Sequence, residues 1–178
     1  MTTHDAASGT ADPGYGKLQV TALVALRMLI GWHFLYEGIA KLTNPYWTSA
    51  GYLADAKWIL KGLALDVAAS PTAVTVVDYL NEYGLVLIGL GLLFGALTRV
   101  AAVAGVALLA LYWLVAPPFV GFTYTMPAEG SYLLVNKVLI EAVALLVVLA
   151  FPASRRFGLD ALFARTPAAP AAPTPAAS

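Results

Sequence analysis

Seven residues in two oily stretches carry the groups that could do chemistry. RMLIGWHFLYEGIAKL, residues 27–42, holds Arg27, His33, Glu37 and Lys41, and VNKVLIEAV, residues 135–143, holds Asn136, Lys137 and Glu141. An α-helix turns about 100° per residue, which puts all four of the first set on roughly one third of the circumference. Glu37 lies one turn from both His33 and Lys41, close enough to touch each, and Lys137 and Glu141 have the same spacing. Imidazole changes charge near neutral pH, so His33 beside a carboxylate can pass a proton. His33, Glu37 and Glu141 form a candidate proton relay. Arg27, Lys41, Asn136 and Lys137 are candidate partners for a polar ligand, with Trp32, Tyr36 and Trp47 as flat apolar walls. Aromatic residues near a membrane surface also act as anchors, and paired buried charges can do no more than fix helix register.

The surroundings make these charges expensive. The chain is 60% hydrophobic and 11% charged, with a mean hydropathy of +0.78. Soluble domains run at about 45–50% apolar and about 25% charged. Net charge is zero, so no basic surface calls for nucleic acid. There is no cysteine, which excludes a disulfide, a thiolate zinc site and an iron–sulfur cluster in this chain. The histidines are His4, in a polar tail, and His33, so the chain alone cannot hold a haem between two buried histidines. No metal site is expected. Electron chemistry would need an organic cofactor or a partner subunit.

A membrane-spanning helix needs about 20 mostly apolar residues. Four stretches come close: about 18–40, 79–97, 100–116 and 132–151, the third stopped by Pro117-Pro118 and the fourth by Pro152. The expected fold is an all-α four-helix membrane bundle spanning residues 17–165. The first stretch is too long and too charged for a cleaved signal peptide. Residues 44–78 form a long connection whose Trp, Tyr and Leu content suits short interfacial helices at the outer surface, or a lid that plugs the bundle. PPFVGFTYTMPAEGSY, rich in Pro, Gly and aromatics, predicts an ordered cap. Residues 1–16 and the Pro/Ala-rich residues 166–178 are expected to be disordered. Lys17, Arg99, Arg155, Arg156 and Arg165 fall on one side, which the positive-inside rule makes cytoplasmic, with both termini. Lys41, Lys57 and Lys61 fall on the other side, among Asp55, Asp66, Asp78, Glu82 and Glu129. Gly84, Gly89, Gly91 and Gly95 on the second helix, and Ala101, Ala104, Gly105 and Ala107 on the third, allow close packing within one chain.

The first and fourth stretches cross in opposite directions. Aligning their midpoints puts Arg27 level with Glu141, and Glu37 close to Lys137. The expectation is that these helices are neighbours, with Arg27–Glu141 paired near mid-membrane and Glu37–Lys137 nearer the outer face. A lone charge at the bilayer centre costs about 2.5–3.5 kcal/mol on insertion scales, and pairing relieves much of that.

LRMLIGWHFLYEGIAKL resembles the first-helix signature of the DoxX/DoxD family, carried here by Arg27, Gly31, Phe34, Gly38, Lys41 and Leu42. GLVLIGLGLLFGALTRVAAVAG is similar to the family's passage from second to third helix, and NKVLIEAVALL fits its fourth. The likeness covers roughly residues 20 to 160. NPYWTSAGYLADAKW and MPAEGSYLLVNK look like a branch with a long outer loop. The resemblance implies a four-helix protein of the bacterial inner membrane. It includes the DoxD-type subunit of thiosulfate:quinone oxidoreductase, which works with a DoxA-type partner and passes electrons to quinone; other members are accessory subunits of redox complexes. A DoxA-like portion is not in this chain, and no residue here specifies thiosulfate. Three functions stay open: a quinone-linked membrane subunit with quinone as cofactor and redox partner subunits, a structural or assembly subunit of a larger membrane complex, and a small-solute transporter. The lack of a clear inverted repeat weighs mildly against the last.

Overall fold

The computed structural model describes residues 14–125, 133–151 and 157–163. The tails at 1–13 and 166–178 lie outside these, as do Glu129, Arg155, Arg156 and Arg165. Among the described residues there is no strand. Helix α1 spans Lys17–Leu42, α4 Pro71–Phe94, α5 Thr98–Val115 and α6 Lys137–Ala150. Between α1 and α4 lie α2 (Ala50–Ala54), a 3-10 turn (Trp58–Leu60) and α3 (Lys61–Ala68), and α7 (Leu159–Phe163) follows α6.

Three helices, α1, α4 and α5, are long and apolar enough to cross a membrane. At 1.5 Å per residue they measure about 39, 36 and 27 Å. α6 measures about 21 Å by the same rise, short of the roughly 30 Å hydrocarbon core. Two boundaries differ from the sequence expectation for a local reason. α4 starts at Pro71 rather than Tyr79, because Ser70 caps it and proline suits the first helical position: Ser70 Oγ accepts from Ala73 N at 3.4 Å. The connection is therefore shorter than 44–78. α6 starts at Lys137 rather than Tyr132, because Asn136 is its cap, with Oδ1 accepting from Leu139 N at 3.0 Å.

α1 packs chiefly on α4, and α6 chiefly on α5; α1 and α6 meet along a shorter line. The α1–α4 contact is backbone on backbone. A Cβ on Gly31 would stand 2.7 Å from Leu93 N, one on Gly38 2.8 Å from Val86 N, and one on Gly89 2.7 Å from Leu35 Cα. Lipid gives helices no hydrophobic reason to associate, so this close packing is what holds them. Of the α4 glycines expected to seat a neighbouring helix, Gly89 does so against α1 and Gly91 against Ala101 of α5; Gly84 meets nothing among the described residues, and Gly95 ends α4 in the left-handed region at φ 66°. Phe34, Leu92 and Leu145 fill the centre, with Leu145 lying over Gly105.

The predicted short helices are present in the connection after α1 and fold over one end of the bundle. Asp78 of α4 accepts from Thr48 Oγ1 at 2.9 Å and from Ser49 N at 2.7 Å. Tyr52 donates its hydroxyl to the Tyr112 carbonyl at 2.8 Å, and Lys57 N donates to Val115 O at 3.0 Å. Asp55 accepts from Thr125 N at 2.6 Å and Thr125 Oγ1 at 2.8 Å. Those two donors hold the Asp55 carboxyl below its ordinary range, and the nearby Lys57 ammonium helps. Burial pushes the Tyr52 hydroxyl up. Trp58 packs edge-on against Trp113 and Phe119.

The opposite end is closed by the chain beyond α6. Asp160 accepts from Leu97 N at 2.8 Å and Thr98 N at 2.9 Å, meeting two amides of the first turn of α5 that have no partner inside the helix. Asp160 N donates to Gly95 O at 2.8 Å. Gly158, at φ 137°, passes so close to Gly95 that a Cβ on it would lie 2.8 Å from Gly95 Cα.

Candidate functional site

Where α1 and α6 meet, a cavity of about 180 Å³ opens between them and α5. Its polar side is His33, Glu37 and Lys41 from α1 with Lys137 and Glu141 from α6. Its apolar side includes Phe34, Leu85, Leu109 and Val138, and Tyr112 completes it from α5. The row of α1 charges stays on one face for the reason the sequence gives, the i, i+4 spacing. It faces a cavity because the glycine face of α1 is occupied by α4.

His33 Nδ1 donates to Glu141 Oε1 at 2.7 Å. Lys41 Nζ donates to Glu37 Oε2 at 2.7 Å, and the same ammonium lies 5.6 Å from the centroid of the Trp47 ring. The His33 side chain is 43% exposed and Glu141 13%, so the carboxylate is the inner member and the imidazole the outer. Held at Nδ1, the imidazole keeps Nε2 as its second proton site.

The expected Arg27–Glu141 pair is not the one formed: Glu141 takes His33. Arg27 sits buried at the far end, where Nη1 donates to Phe157 O at 2.7 Å and the guanidinium lies in the field of Asp160. The register differs because α6 begins late. Its midpoint moves from Glu141–Ala142 to Val143–Ala144, which slides Glu141 level with His33 and Lys137 level with Glu37. Those last two line the same cavity, but the ion pair Glu37 forms is with Lys41 rather than the expected Lys137. α1 and α6 are neighbours, also as expected.

Of the other residues singled out, Trp32 and Tyr36 lie on the exposed face of α1, at 58% and 61%, away from the cavity. Phe34 supplies the aromatic wall instead. Asn136 spends its side chain as the α6 cap.

Tyr112 and Asn81 escaped the sequence reading. Asn81 of α4 is 9% exposed, and its Nδ2 donates to the Tyr112 hydroxyl. Its Oδ1 is buried and meets no donor among the described residues. Leaving such a group unmet costs about 1–3 kcal/mol. An asparagine inside an apolar run was the available signal, since polar groups at membrane depth mark sites by default.

Three apolar helices long enough to span, tied at both ends and enclosing charged groups, define an all-α membrane protein. Residues 22–118 match the sequence profile of DoxX, and the chain belongs to the DoxX family. No curated protein and no solved structure matches it.

Proposed function

We propose that this chain is a membrane subunit of a quinone-linked oxidoreductase complex, with the α1–α6 cavity as its quinone and proton site. The observation that carries the reading is the His33–Glu141 pair beside an apolar wall in a cavity of about 180 Å³. A cavity of roughly 150 Å³ holds one benzene ring, so one quinone ring fits, its tail leaving through the opening. A quinone supplies the redox change and takes up protons with its electrons. This chain supplies orientation, dryness and protons. Phe34, Leu85 and Leu109 pack against the ring. His33 gives a proton from Nε2, and Glu141 stabilises the imidazolium that regains it. Glu37, Lys41 and Lys137 form the second cluster of the relay.

The proposal includes a fourth crossing by α6. Its support is that the two ends of this segment are tied to opposite ends of α5. Trp113 Nε1 donates to Leu134 O at 3.1 Å near one end, and Asp160 holds Leu97 and Thr98 at the other. The proposed placement is the bacterial inner membrane with both termini cytoplasmic and the cap outside, where partner redox subunits would dock.

Glu141→Gln keeps the shape and removes the charge. In membranes holding the intact complex, quinone reduction should fall by about a hundred- to ten-thousand-fold, the usual scale of one acid–base group. Full turnover in a correctly assembled complex would sink the relay. Purification from native membranes with mass spectrometry should recover a dehydrogenase or cytochrome. A complex with no redox component would instead favour an assembly subunit.

A further inference from the structure

We infer that Tyr112, held by Asn81, is the neutral hydrogen-bond donor that recognises a carbonyl oxygen of the ring bound in this cavity. This rests on the quinone reading and names a residue and a chemistry that reading does not use. Tyr112 lines the cavity from α5, and Asn81 approaches from α4 behind it. Asn81 presents its amide nitrogen to the Tyr112 oxygen. In this amide orientation the hydroxyl receives that bond, and its own proton is left for another acceptor. Among the described residues no acceptor takes it. The unmet Asn81 oxygen beside it belongs to the same unfinished network.

The rest of the tyrosine is fixed. Its carbonyl accepts from the Tyr52 hydroxyl and from Ala116 N, and the two tyrosine rings meet edge to face at 6.1 Å. A donor aimed by three helical elements is a recognition device. A bound ring should place an acceptor there. A carbonyl oxygen with two lone pairs meets this need better than an ether oxygen, and the charged groups across the cavity then face the ring's other oxygen. Asn81 acts through Tyr112 and is a positioning residue.

The test uses the full chain in lipid nanodiscs, with decylubiquinone titrated by quenching of tryptophan fluorescence. Tyr112→Phe should weaken binding about five- to ten-fold, the worth of one neutral hydrogen bond. Asn81→Leu should weaken it similarly, and the double variant should add little, because both act on one bond. Infrared spectra of carbonyl-labelled decylubiquinone should show one carbonyl band moved to lower frequency in the wild type and restored in Tyr112→Phe. Equal affinity and unchanged bands in a folded Tyr112→Phe would overturn the inference and leave the quinone reading standing. If that variant fails to fold, the wild-type spectrum still decides: unshifted carbonyl bands overturn the inference. A wild type that binds no decylubiquinone overturns both.

Discussion

Helix α1 is sealed on one side and open on the other. Toward α4 the two backbones touch through Gly31, Gly38 and Gly89, with no room for a methyl group. Toward α6 the same helix presents His33, Glu37 and Lys41 across a cavity. Packing with no slack fixes α1 against α4. The open seam then needs only a few ties, and those are polar. A membrane protein that must expose charge without losing its shape gains from dividing one helix this way, since the sealed side supplies the rigidity that a ligand site requires.

The sharpest way to break the contrast is Gly89→Leu. A side chain there meets the Leu35 backbone, which cannot step aside. Overpacking costs about 1–3 kcal/mol where side chains can adjust, and here the whole helix must move. The expected outcome is loss of the folded species in detergent, seen by size exclusion and thermal unfolding. Asp160→Ala should come next. It strips two amide partners from α5 at the end of the open seam, and capping losses of this kind run at about 1–2 kcal/mol. The midpoint of thermal unfolding should fall, with cavity chemistry affected second. Glu141→Gln should cost about 1 kcal/mol or less of stability, while under the proposed relay its effect on turnover should be large. That split between small stability loss and large functional loss is what separates the open seam from the sealed one.

The smallest effect belongs to Asp55, which ties Thr125 into the cap. Its two bonds from Thr125 hold its carboxyl below the ordinary carboxylate range when folded. A lowered folded value means the tie contributes fully above the unfolded value and is lost as pH falls through the folded one. Protection of the Thr125 amide, relative to its intrinsic exchange rate, should therefore be flat from neutral pH down to about pH 4 and should fall below it. Asp55→Asn should flatten that response.

Several of these features were legible in advance. The apolar stretches, the short helices of the connection and the i, i+4 charge row follow from periodicity and composition alone. So does the neighbourhood of α1 and α6, because opposite charges at matching depth have few other places to go. The pairing differs from the sequence expectation by six residues along α1, nearly two turns. Register depends on where a helix starts, and Asn136 was read as a ligand partner before it was read as a cap. Ser70-Pro71 carried the same kind of signal for α4. The role of Arg27 was not readable, since its contacts come from residues 157 and 160, across the whole bundle. Tyr112 is ordinary in sequence, and Asn81 stands out only as a polar group in an apolar run; the α4–α5 contact is what brings them together.

The short α6 has a consequence for the lipid. As the proposed fourth crossing, a helix of about 21 Å in a hydrocarbon layer of about 30 Å would be mismatched. The bilayer answers such a deficit by thinning locally, at fractions of a kcal/mol per Å. Around α6 the headgroups and their water would then dip toward the cavity, while the longer α1 and α4 keep the layer near full thickness on their side. The protein would sit in a membrane that is thinner on one flank than on the other, with the water brought closest on the side where His33 and Glu141 are paired.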